Sequence, residues 1–250
     1  MKKKRIFLLS LLLALPLILT ACSSSQSSEA LPKPDKILSI AQNTEISSMQ
    51  ASWVQSNKQQ QVLQNATVFF QKKPMVIHGD FNTTDNNYKM WMNEKNNYIQ
   101  SQGTSSKRWF KTEVSKNSKY SELTDALASS ALMAFSKKAA KSFNVKKTST
   151  GFTLTFNGNS KKMWNEVISN TLLASFIGID QDAVKPENVK IIVTTTDDYD
   201  LKKLEIDAEY QENDQVKNLK LIINQINRLP KMQIPSNVTK SAVDLGSQAH

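Results

Sequence analysis

Over long stretches of this chain apolar residues recur at every second position, and a period of two restricts the fold to one built chiefly of half-buried β-strands. In 88–93, Tyr88, Met90 and Met92 alternate with Lys89, Trp91 and Asn93. In 201–211, Leu204, Ile206, Ala208 and Tyr210 face one way while Asp207 and Glu209 face the other. The same reading predicts strands at 48–56, 62–72, 75–83, 97–102, 107–113, 188–196 and 215–228. Val68 and Phe70 share one face, while Met75, Ile77 and Phe81 share another. A hairpin is expected at 143–148 and 152–157, around Ser149-Thr150-Gly151. Polar turns separate these short runs, so an antiparallel meander is the economical arrangement.

The period changes in three places. A short helix is expected near 34–44. Ser121 can cap a second, with Glu122 and Asp125 in its first turn, Leu123, Leu127, Ala131 and Phe135 along one stripe, and Lys137, Lys138 and Lys141 toward its C-terminal end. A third, from 160 to 177, carries Met163, Trp164, Val167, Ile168, Leu172, Leu173 and Phe176, with Gly178 as its stop. The last strand ends before Pro230 and Pro235.

The N-terminal segment has a different character. Lys2, Lys3, Lys4 and Arg5 precede an apolar run from Ile6 to Leu19, and Leu19-Thr20-Ala21-Cys22 ends with the only cysteine in the chain. This resembles a bacterial lipoprotein signal peptide with its lipobox. The resemblance implies cleavage after residue 21, diacylation of the Cys22 sulfur, and a protein held on the extracytoplasmic face of the cell membrane. The apolar run is shorter than the ~20 residues a spanning helix needs, whereas two acyl chains anchor firmly. Four of the 32 basic residues and none of the 22 acidic ones precede Cys22, so without that segment the formal net charge falls from +10 to +6. The remainder is modestly basic, which suits anionic head groups or cell-wall polymers, and nucleic acid is not expected as a partner. With one cysteine there is no disulfide framework, so stability must come from a core. Residues 23–36, rich in Ser with Pro32 and Pro34, read as a tether. The expected organisation is a signal peptide at 1–21, acylated cysteine and tether at 22–36, one domain at 37–245 and a tail at 246–250.

Lipobox, tether, short helix, the strand pair opening at Met49–Trp53, the Tyr88-Lys89-Met90-Trp91 strand and the closing Leu229-Pro230-Lys231-Met232-Gln233-Ile234-Pro235 together are similar to the LolA/LppX-like bacterial lipoprotein superfamily, in particular to uncharacterised Gram-positive lipoproteins of that fold. The resemblance implies an α+β fold, a curved antiparallel half-barrel or incomplete β-barrel with helices covering the concave face, and an apolar cavity in which some members carry lipids.

The inventory for catalysis is thin. His78 lies within a strand and His250 at the chain end, no paired histidines offer a zinc site, and no Gly-x-Ser-x-Gly elbow or glycine-rich phosphate loop occurs. Asp197, Asp198 and Asp200 have the residue types of a calcium ligand set, but the same types make a hairpin turn. No enzyme activity, metal or cofactor is expected. The chain is read as a monomeric binding protein for a lipid or other amphiphile, with Val68, Phe70, Met90, Met92, Leu127, Phe135, Leu172 and Phe176 lining an apolar cavity. The alternative is a tethered interaction module with a filled core that binds an envelope protein or cell-wall polymer through exposed aromatics such as Trp91 and Trp109.

Overall fold

The structure is a computed structural model, and it describes residues 30–102, 108–114, 133–166, 179 and 184–246. Leu31–His250 form one compact unit. Its frame is an open twelve-stranded sheet, not closed into a barrel, with few helices among the described residues. The strands are β1 (Ser48–Asn57), β2 (Val62–Gln71), β3 (Val76–Thr83), β4 (Asn87–Asn93), β5 (Asn96–Gln102), β6 (Phe110–Glu113), β7 (Asn144–Thr148), β8 (Gly151–Gly158), β9 (Val184–Thr195), β10 (Leu201–Glu212), β11 (Gln215–Asn224) and β12 (Val243–Asp244). Their spatial order is β12-β6-β5-β4-β3-β2-β1-β11-β10-β9-β8-β7. Two meanders, β1 to β6 and β7 to β11, are therefore joined where the first strand pairs with β11. All pairings are antiparallel except β12 with β6.

Register turns the alternation into two faces. Residues directly opposite across a ladder point to the same side. One row therefore runs from Val145 on β7 through Leu154, Val193, Leu204, Ile223, Ala51, Val68, Gly79, Met90 and Ile99 to Phe110 and Val243 at the far edge. Phe70 lies opposite Ile77, so the two apolar sets expected on different faces line the same one. This inner face carries the main core, which the strands share with three helical pieces.

Helix α1 (Pro34–Ala41) starts with proline at its first turn, has Asp35 where the helix dipole favours an acid, and buries Ile37, Leu38 and Ala41. The helix expected to run through Phe135 to Lys141 is interrupted. Ser136 has extended backbone and caps a separate helix, α2 (Lys137–Ala140), by accepting from the Ala139 N–H at 3.3 Å. Glu166 fixes this break, accepting from the Ser136 N–H at 2.9 Å and its hydroxyl at 2.6 Å. Lys137 and Lys138 consequently open a helix instead of closing one. Helix α3 (Lys161–Trp164) is capped by Ser160 and buries Met163 and Trp164.

The outer face has its own small cluster of Tyr98, Trp109 and Val238, with Trp91, Ile234 and Ala242 against it. A strap made by the C-terminal segment covers it. The last ladder ends at Asn224 rather than at 228, because Gln225 and Asn227 adopt positive φ and turn the chain. The Met232 N–H then donates to Gln71 Oε1 at 2.7 Å. Helix α4 (Ser236–Ser241) follows, and β12 docks on the edge of β6.

Candidate functional site

The inner face is apolar along most of its length because small residues make room for large ones. Ala66 stands between Trp53 and Phe81 in the register, and the two rings meet edge to face with centroids 5.9 Å apart. Phe81 also stacks on Tyr88 at 4.7 Å. At Gly79 an added Cβ would clash with the edge of the Phe81 ring, within 3 Å of Cε2 and Cζ, so the ring lies over the glycine.

Val68, Phe70, Met90 and Met92 come together on the β2–β4 part of this face, and Met92 is fully enclosed at 0 % exposure. Phe135 is buried on the same face, where its ring packs edge to face on Phe143 at 5.1 Å, and Phe143 in turn lies 6.0 Å from Phe156 of β8. Leu127, Leu172, Phe176 and Cys22 lie outside the described residues.

One end of the face is polar, and sequence reasoning missed it. Gln55 follows Met49, Ala51 and Trp53 at the inward positions of β1 and is 5 % exposed. Its Nε2 donates to the Tyr210 hydroxyl at 2.6 Å, and its Oε1 accepts from Gln64 Nε2 at 3.1 Å. Tyr210 is 0 % exposed, packs 5.0 Å from the Trp164 ring, and has its phenol pushed up to about 12, chiefly by burial. The Gln55 hydrogen bond opposes that rise and the nearby Glu212 charge adds to it. Directly across the ladder from Tyr210 stands Lys217, whose ammonium pairs with the buried Glu212 at 2.5 Å. The signal was parity: Gln55 and Gln64 occupy positions that the alternation assigns to the interior.

At the other end of the strands an open cleft of about 610 Å³ lies between the approach to β1, the β9–β10 turn and the chain leaving β11, with Glu45, Asp200, Lys202 and Arg228 among its lining. The acidic cluster forms that turn. Tyr199 has positive φ, the Thr196 N–H donates to the Asp200 carbonyl at 2.9 Å, and Asp197 pairs with Lys147.

The aromatics offered to the rival reading are placed differently from the expectation. Trp109 is only 7 % exposed and Trp91 is packed against it, because the strap covers both. His78 is stacked between Phe69 and Trp91, with Nδ1 3.0 Å from the Met90 carbonyl and Nε2 3.8 Å from Asp80. Among the described residues no group of three His, Cys, Asp or Glu side chains could hold a metal ion, and no helix is long and apolar enough to cross a membrane.

A sequence model described as a family of unknown function (DUF6612) matches residues 29–243. No curated protein matches. Among solved structures the chain is similar to the lipoprotein LppX of Mycobacterium tuberculosis, at 10% identity and a TM-score of 0.43, over 81% of this chain and 100% of that one. It is also similar to a DUF1329 family protein from Desulfovibrio piger, at 7% identity and a TM-score of 0.24, over 82% of this chain and 93% of that one.

Proposed function

We propose a function from one premise, that the chain belongs to the DUF6612 family of unknown function. The protein is a non-catalytic lipoprotein, anchored through acylated Cys22 on the extracytoplasmic face of the membrane, that holds a lipid or other amphiphile against the inner face of its sheet. The observation that carries this reading is the inner row of mostly apolar side chains crossing all twelve strands of a sheet that does not close. Burial in such a row needs no directional partner, which suits acyl chains of varied length. Met90 and Met92 add unbranched, adaptable side chains. Val68, Phe70, Phe135, Leu127, Leu172 and Phe176 are the other proposed contacts. The tether between Cys22 and α1 keeps the domain within roughly 20 Å of the bilayer.

One observation favours the rival reading, an interaction module with a filled core. Phe70, Ile77 and Met92 are enclosed as completely as any residue of an ordinary interior. Native mass spectrometry of protein extracted from membranes separates the two. Stoichiometric co-purifying lipid is the expected result, and a clean apo mass together with no uptake of added lipid would overturn the carrier reading. The anchor is tested apart from it. Cys22→Ala should leave the precursor unprocessed or release the protein, and membrane-bound protein of mature length would overturn the acylation.

A further inference from the structure

We infer that the polar end of the inner face, built from Gln55, Tyr210 and Lys217, seats the head of the bound amphiphile, and that this head presents uncharged acceptor oxygens of the ester kind. The inference rests on the amphiphile reading and adds to it an orientation and a chemical class.

The distribution of polarity is the first reason. Leu219, Ala208 and Val189 continue the same cross-strand row as Gln55, and all are buried and apolar. A core needing only to be filled would be apolar at Gln55 as well, since an internally satisfied buried network contributes little beyond apolar packing of the same shape. Instead the face changes from apolar to polar along the strand direction, as an amphiphile does along its length.

The balance of donors is the second reason. A primary amide carries two N–H groups and a phenol one O–H. Gln55 uses one N–H on the Tyr210 oxygen, and that oxygen therefore accepts. The second Gln55 N–H and the Tyr210 O–H remain to donate. The Lys217 ammonium has three N–H groups and gives one to Glu212. Donors thus meet at the end of an apolar row, with the Lys217 charge already offset by the Glu212 carboxylate, and they match uncharged oxygen acceptors on a ligand. A plain hydrocarbon would leave the donors unanswered.

The test compares methyl dodecanoate with pentadecane, two radiolabelled probes of equal heavy-atom count, by equilibrium partition onto the immobilised full domain. Wild type should bind both, and Tyr210→Phe should weaken the ester about five- to tenfold, the effect of one hydrogen bond, while the alkane stays within about twofold. Gln55→Met repeats the comparison should Tyr210→Phe fail to fold. Equal weakening of both probes, or no weakening of either, overturns the head-group assignment while leaving the carrier reading intact. Binding of neither probe by wild type overturns both. A wild-type measurement needs no variant. A dodecanoate ester with a diazirine in its alcohol portion should label peptides containing Gln55, Tyr210 or Lys217. Label confined to peptides of Met90 and Met92 would reverse the orientation and sink the assignment.

Discussion

Gly79 sits in the middle of the apolar row and has no room for a side chain, since the Phe81 ring occupies the space. Gly79→Ala should push that ring off Tyr88 and Trp53 and destabilise the protein by about 1–3 kcal/mol in urea unfolding, the usual effect of overpacking. Gly151 should tolerate replacement less well. Its φ is +137°, and an added Cβ would strike the backbone of Thr195. Tyr210 gives a prediction in pH. Its phenol is held at about 12 in the folded protein and at about 10 when exposed. The folded state therefore keeps a proton that the unfolded state loses. The stability this represents is complete below about pH 10, falls as pH rises toward 12, and amounts to about 2–3 kcal/mol. Tyr210→Phe should flatten that alkaline decline in unfolding experiments. At this scale the inward residues of β4 and β10 were legible from alternation alone. Gln55 and Gln64 were not, because a glutamine's composition says solvent while its parity says interior, and only register decides between them.

The strands themselves were legible to within a few residues, because side chains on a half-buried ladder must alternate. Two elements were not. The break at Ser136 depends on Glu166, thirty residues away, and no local pattern announces such a partner. The strap leaves no period in the sequence, since the segment between Pro230 and Pro235 is held by the Gln71 side chain and the chain beyond it by backbone bonds to β6. Its end is latched by Lys111 and Asp244 at 2.5 Å, beside the Leu245 N–H bond to the Lys111 carbonyl at 2.9 Å. The hydrogen bond to Lys111, first, and the Gly246 N–H hold the Asp244 carboxyl below its ordinary value. The hydrogen bond to Asp244 holds Lys111 above its own. The carboxylate's contribution is therefore complete above the ordinary carboxylate range and is lost as pH falls through the lowered value. The lysine's is complete below the ordinary lysine range and is lost as pH rises through the raised one. Asp244→Asn should abolish the acid-side change and speed hydrogen exchange at the Val243 and Leu245 amides. Deleting 230–246 should uncover the outer cluster and red-shift the tryptophan emission.

For the whole molecule, an open sheet has edges, and an uncovered edge invites pairing with another copy. The strap covers one edge. The β7 edge carries Lys146 and Lys147 instead, and Lys147 lies over the Phe152 ring at 4.2 Å while pairing with Asp197. Replacing both lysines with threonine should leave the protein folded and raise light scattering on concentration. The fold class was legible at this scale because many short alternating runs with few helical ones leave few architectures. The order of the strands was not, since β1 neighbours β11 only through contacts that no local pattern encodes. That seam has a kinetic meaning. The Ser47 amide reaches the Asn227 side chain 180 residues along the chain, so the centre of the sheet cannot form until nearly all of the chain is present. Closing so long a loop before any ladder bond rewards it slows the search. Each meander can zip early on its own. The two halves must then wait for one late encounter, and variants at Ala51 or Ile223 should register chiefly in the rate of that last step.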